Sequence, residues 1–117
     1  MPELTMRTET TPTGVVVYHL AGPLVLNTLF DFQSAARANG GAATVVDLSE
    51  VPYMDSAGLG AVLGVFASCQ RAGRGFAIAG VPERVKTLLR VSHVDGLIPA
   101  YDTAETDGRE LSKAASA

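Results

Sequence analysis

The chain has 117 residues, 47% of them hydrophobic and 18% charged, enough for one compact core and too few for two. A formal charge of −3 and a pI near 5.2 give no positive field to gather nucleic acid or an anionic membrane surface. Cys69 is the only cysteine, which excludes an intramolecular disulfide and a thiol-based zinc site, so its apolar, helix-like setting reads as packing.

At the N-terminus, Met1 to Arg7 has no positive segment feeding an apolar run, and no apolar stretch is long enough to cross a bilayer. A cytoplasmic location is expected, with no direct membrane or nucleic-acid contact. Leu4 to Thr10 alternates apolar and polar residues at first and could pair as an edge hairpin strand, so 1–10 is read as an edge strand or a partly ordered N-terminus. Val15 to Leu20 is β-branched and aromatic between Gly14 and Gly22-Pro23, and reads as a strand ended by a turn. Asn27 or Thr28 then caps a helix running to about Asn39, with Asp31 in its first turn and Gly40-Gly41 as its stop. Leu29, Phe32 and Ala36 give that helix a side to bury.

Ala43 to Leu48 is a nearly continuous apolar strand of the kind covered on both faces, and a helix between two such strands implies a parallel pair. The cycle repeats. A second helix runs from Ser56 to about Ala72, striped by Leu59, Val62, Leu63 and Phe66 and closed by Gly73 with Gly75. Phe76 to Ala79 is the next strand. Pro82 suits a first helical position and Glu83 the positive helix end, while Val85, Leu88 and Leu89 form the stripe of a third helix with Arg90 near its other end. Leu97 to Tyr101 reads as a terminal edge strand because of Pro99, and Asp102 with Glu105 has capping-box spacing for a last helix that frays toward Ala117. From Tyr101 onward there are four acids and two bases, so most of the negative charge lies there, on a solvated helix face or a charged contact surface. The fold class is α/β: a single domain over 1–117 with a mostly parallel central sheet of four to five strands and about four helices.

The segment that carries function joins the central strand to the second helix, Pro52-Tyr53-Met54-Asp55-Ser56-Ala57-Gly58-Leu59-Gly60. In parallel sheets, strand ends and the helix starts that follow them are where ligands and partners are met. Ser56 stands at or beside the helix cap, so its hydroxyl is either a cap, a group displayed to another protein's active site, or both. Asp55 is read as a second candidate cap or as a group orienting the serine. Gly58 and Gly60 each lower helix stability by about 1 kcal/mol relative to alanine and so need a packing or access reason. Leu59 is expected to be partly exposed, as the apolar anchor of a docking surface.

Enzymatic readings fare poorly. His19 lies in a strand pattern and His93 in a loop, neither beside Ser56, and no Gly-x-Ser-x-Gly elbow accompanies the serine. The glycines lack the Lys-Ser/Thr of a P-loop and the third glycine of a dinucleotide fingerprint. No cofactor, metal or catalytic residue is assigned, and the chain is read as a binding protein rather than an enzyme.

The run from Val45-Val46-Asp47-Leu48 through Asp55-Ser56-Ala57-Gly58-Leu59-Gly60 resembles the signature of the STAS domain family, in particular the bacterial anti-sigma factor antagonists. The likeness extends through the Gly22-Pro23-Leu24 turn, the Ala79-Gly80-Val81 strand end, the Val85-Lys86-x-Leu88-Leu89 helix and Gly96-Leu97. It implies a protein whose unphosphorylated form binds an anti-sigma factor with serine kinase activity and so releases a sigma factor. Phosphorylation at Ser56 then ends binding, and a separate serine phosphatase restores it. By the same resemblance Asp55 supports the acceptor loop and Gly58 and Leu59 belong to the docking surface, with Asp55, Ser56, Ala57, Asn27 and Thr28 completing the partner-binding set. Relatives commonly carry Gly-Glu-Leu-Asp where this chain has Gly22-Pro23-Leu24-Val25, so two partner-facing acids are replaced, and Asn27 and Thr28 are not given their role. The alternative implied by the family is a STAS subunit of another assembly, such as a lipid-transport ATPase or a stress-signalling complex.

Overall fold

The β-branched run beginning at Val15 forms β2 (Val15–Ala21), and the alternation of its side chains divides the molecule into two faces. Val16, Tyr18 and Leu20 point into the larger hydrophobic core, while Val15 and Val17 join a second cluster on the opposite face. The computed structural model describes residues 3–38 and 41–102. Along these segments follow β1 (Thr5–Thr10), β2, α1 (Leu29–Ala38), β3 (Ala43–Glu50), α2 (Ser56–Arg71), β4 (Gly75–Ala79), α3 (Glu83–Val91) and β5 (Ala100–Tyr101).

The strands form one five-stranded sheet in the order β1-β2-β3-β4-β5. β1 pairs antiparallel with β2, as a hairpin strand does, and all later neighbours are parallel because a helix separates each pair. β3 is central, and Ala43, Val45 and Val46 are fully buried, which is why its sequence shows no polar alternation until Asp47. The mostly parallel α/β architecture agrees with the sequence. Asn39 and Gly40, expected to end α1, and the terminal helix expected beyond Asp102 lie outside the described residues.

α1 buries Leu29, Phe32 and Ala36, the three residues its periodicity picks out. Phe32 is wholly buried and meets Tyr18 edge-on at 6.0 Å between ring centroids, and Tyr18 donates its hydroxyl to the Ala35 carbonyl at 3.2 Å. Burial of such a ring contributes about 1.5–3 kcal/mol.

α2 is seated differently from its expected stripe. Gly58, Leu59, Ala61, Val62, Val65 and Cys69 are buried, whereas Leu63 and Phe66 flank the contact half-buried, Phe66 against Phe76 at 5.6 Å. The small residues set the helix axis close to the sheet, and the large ones fill its sides. Gly73, at φ +70, ends α2 in the left-handed region, with Arg74 N–H donating to the Cys69 carbonyl at 2.8 Å.

Two further expectations are corrected. Pro82 is the N-cap of α3 rather than its first helical residue, its carbonyl accepting from Lys86 N–H at 2.9 Å. The terminal strand shrinks to Ala100–Tyr101, because Leu97 N–H turns back onto the Val94 carbonyl and Leu97 is exposed; of that run Ile98 is buried in the main core and Tyr101 packs half-buried against the second cluster. Pro99 does sit at the start of an edge strand, its carbonyl accepting from Ile78 N–H at 2.9 Å.

Candidate functional site

Two loops meet at the start of α2. One follows β2 from Gly22 to Thr28, and the other follows β3 from Val51 to Asp55. Gly22 N–H donates to the Glu50 carbonyl and Leu24 N–H to the Tyr53 carbonyl, both at 3.0 Å, and Leu24 and Met54 form an isolated parallel bridge. The first loop closes on itself through Thr28. Its hydroxyl accepts from Val25 N–H at 3.0 Å and donates to the Pro23 carbonyl at 2.8 Å, while Leu29 N–H reaches back to the Val25 carbonyl at 3.0 Å. Thr28 therefore builds the turn before α1, and Asn27 is exposed beside it.

Asp55, not Ser56, caps α2. Its Oδ1 accepts from Gly58 N–H at 2.8 Å, and its extended backbone, φ −100 and ψ −178, marks it as the residue before the helix. Its Oδ2 accepts from Leu26 N–H at 3.2 Å, tying the first loop to the helix end. Both carboxylate oxygens are thus engaged by backbone amides, and the expectation that Asp55 orients the serine gives way to this bridging role. Ser56 is the first helical residue and is exposed, and its hydroxyl has no hydrogen-bond partner among the described residues. The capping role considered for it passes to its neighbour.

The glycines separate into two roles. A Cβ at Gly58 would collide with the Leu24 carbonyl oxygen, so glycine here lets α2 approach the first loop, and the residue is buried. Gly60 meets nothing within 4 Å and is exposed one turn beyond Ser56, so its missing side chain leaves open space on the serine's side of the helix. Ala57 is half-buried. Leu59 is 6% exposed, which overturns its expected role as a partly exposed anchor: it packs inward with Val62 in the main core.

The STAS domain family model matches residues 6–106. The chain belongs to the STAS domain family. Among solved structures of similar fold, an anti-sigma factor antagonist from Mycobacterium paratuberculosis is 21% identical, with a TM-score of 0.82 over 93% of this chain and 94% of that one. The Bacillus cell fate determinant SpoIIAA in the phosphorylated form is 20% identical, with a TM-score of 0.69 over 87% of this chain and 95% of its own. A sulfate transporter family protein from Wolinella succinogenes is 18% identical, with a TM-score of 0.73 over 92% of each chain. At these identities the shared property is the fold of this STAS domain.

The apolar surface of this STAS domain lies where the sequence pattern did not place it. Leu26 is 62% exposed, Phe30 68% and Tyr53 50%, carried by the two loops and the first turn of α1; Val91, at the end of α3, and Leu97 after it are the other large apolar residues exposed among the described residues. Phe30 lies in the first turn of α1, off the buried side formed by Leu29 and Phe32, Leu26 lies in the turn before that helix, and Tyr53 is two residues before the cap. The readable signal was Phe30, an aromatic off the buried stripe of an otherwise amphipathic helix. Among the described residues no helix is long and apolar enough to cross a membrane, and no group of three or more His, Cys, Asp or Glu side chains is arranged to hold a metal ion.

Proposed function

We propose that this STAS domain is an anti-sigma factor antagonist that works by partner switching rather than by catalysis. Its unphosphorylated form binds an anti-sigma factor with serine kinase activity, phosphorylation of Ser56 releases that partner, and a serine phosphatase resets the domain. The observation that carries this reading is an exposed serine hydroxyl at the start of α2, whose cap Asp55 is bonded to the loop that carries exposed Leu26, with exposed Tyr53 two residues before the cap and exposed Phe30 in the first turn of α1. Large exposed apolar residues gathered at one end of a small domain mark an interaction surface. The neighbouring fold of SpoIIAA in a phosphorylated form supports a phosphoryl group in such a domain.

The switch follows from elementary electrostatics. A phosphoserine brings a charge of about −1.5 to −2 and three strong acceptor oxygens. In the free domain water and the helix N-terminus accommodate it. In a complex that buries Leu26, Phe30 and Tyr53, the same dianion sits in a desolvated apolar ring next to the Asp55 carboxylate, where it is opposed both by lost hydration and by like charge. A penalty of about 3 kcal/mol weakens binding more than a hundredfold.

A pull-down from the source cell's lysate tests the reading, with wild type, Ser56→Ala and Ser56→Asp as baits and mass spectrometry of the retained proteins. A kinase-fold protein held by the first two baits and lost from the third supports it. A second reading, a STAS subunit of a transport assembly, is favoured by the likeness to the Wolinella protein. It predicts a membrane transporter retained equally by all three baits.

A further inference from the structure

On the sheet face opposite α1, far along β2 from the Val15 end, His19 is held between two carboxylates. Its Nδ1 lies 2.7 Å from Asp47 Oδ2 and its Nε2 lies 2.9 Å from Glu9 Oε1. The two contacts join three strands: His19 is in register with Asp47 on β3 and with Arg7 on β1, two residues before Glu9. The ring and Asp47 are mostly shielded, with side-chain exposures of 20% and 18%, while Glu9 is 55% exposed.

Among the described residues, the charged groups around the ring are Arg7 and Glu9 from β1 and Asp47 and Glu50 from β3. The Arg7 guanidinium is 3.9 Å from Glu9, and Glu50 lines with Arg7, His19, Asp47 and Ser49 a recess of about 350 Å³ at the strand ends. β4 adds no charge, since Ala79 is the residue in register with Asp47. Three carboxylates thus surround one guanidinium and the imidazole.

A neutral imidazole carries a single N–H, so it donates to one carboxylate and turns a lone pair toward the other. Only the imidazolium donates to both. Asp47 is the firmer partner: its Oδ1 is fixed by Ser49 N–H at 3.0 Å. Burial raises its carboxyl, but the Ser49 backbone, the His19 ring and the Ser49 side chain outweigh that and hold it below its ordinary 3.8. Glu9, by contrast, belongs to an edge strand exposed at every position but Met6. With so little apolar burial, β1 depends on its ladder to β2 and on side-chain ties such as this one.

We propose that His19 is a proton-dependent clamp on β1, closed when the imidazolium bridges Asp47 and Glu9 and opened on the Glu9 side when Nε2 gives its proton to water. After deprotonation Nδ1–H stays with Asp47. The Nε2 lone pair then faces Glu9 Oε1, acceptor against acceptor, and the edge strand loosens while β2 and β3 remain joined. The clamp is therefore closed with the ring doubly protonated and open on the Glu9 side with the ring neutral.

The test is nuclear magnetic resonance on the full chain labelled with ¹⁵N, following the His19 ring nitrogens and backbone amide protection factors across about pH 5 to 8. Protection factors for the hydrogen-bonded β1 amides are expected to fall roughly tenfold, about 1.4 kcal/mol, in step with the ring's own titration, while those of β3 hold steady. The neutral ring is expected to keep its proton on Nδ1. Glu9→Gln, at an exposed position, supplies an amide that hydrogen-bonds either ring state and is expected to flatten the β1 profile. A neutral ring protonated on Nε2, β1 protection indifferent to the titration, or an undiminished fall in Glu9→Gln would each overturn the proposal.

Discussion

Asp55 holds Leu26 to the start of α2: its Oδ2 accepts the Leu26 N–H at 3.2 Å while its Oδ1 caps the helix through Gly58 N–H at 2.8 Å. One carboxylate thereby fixes both the helix on which Ser56 stands and the loop that displays Leu26. Asp55→Ala is expected to destabilise the domain by about 1–2 kcal/mol, the range for a lost N-cap. Asp55→Asn retains an oxygen for one amide but presents an NH₂ to the other, so it should fall between alanine and wild type. Ser56→Ala, which removes an exposed hydroxyl with no hydrogen-bond partner among the described residues, is expected to lie within about 0.5 kcal/mol of wild type. Urea denaturation of the three variants checks this order, and an equal loss for Ser56→Ala would return the cap to the serine.

Phe30 separates stability from binding. It is 68% exposed, so Phe30→Ala should change unfolding free energy by no more than about 0.5 kcal/mol. As an aromatic anchor of the proposed docking surface it should cost at least about tenfold in partner affinity. Calorimetric titration together with thermal melting reads both quantities on one preparation.

Gly60 offers a gain of stability at a cost in access. Nothing lies within 4 Å of a Cβ there, so Gly60→Ala should stabilise α2 by up to about 1 kcal/mol. Gly60→Gln places a long side chain one turn from Ser56 and is expected to slow phosphorylation of an otherwise folded protein. The rate of phosphoryl incorporation by the partner kinase, set beside the melting temperature, distinguishes obstruction from unfolding.

Asp47 gives the chain an acid-sensitive contact. Because its carboxyl is held below 3.8 in the folded state, its contribution is fully present above that pH and is lost as pH falls through the lower folded value. Asp47→Asn should therefore destabilise the domain by about 1–3 kcal/mol near neutrality, the scale for hydrogen bonds to a charged group. The gap between variant and wild type should close in acid, as denaturation curves collected from neutral pH down to below the folded titration will show.

The edge hairpin, the parallel pairing across helices and the buried side of α1 were legible in local patterns: Leu29, Phe32 and Ala36 repeat at helical spacing and are the residues buried. α2 was legible in extent but not in rotation. Periodicity weights large residues such as Leu63 and Phe66, whereas close packing selects small ones: Gly58 against the Leu24 carbonyl of the first loop, and Ala61 and Cys69 in the core. The position of Ser56 on a helix start was readable, but not which of two adjacent capping residues would cap. That choice is decided by the Leu26 amide, 29 residues away in sequence, which recruits the second oxygen of Asp55. The same non-local origin hid the exposed apolar residues: the loop path, not the helical stripe, exposes Leu26 and Tyr53 and buries Leu59.

The most direct test is the affinity of the partner captured in the pull-down for the unphosphorylated domain and for a preparation fully phosphorylated on Ser56, measured by calorimetry in one buffer. A loss of about a hundredfold or more on phosphorylation is the predicted result. Equal affinity for the two forms would contradict the switch and leave Ser56 as an exposed residue of the helix start.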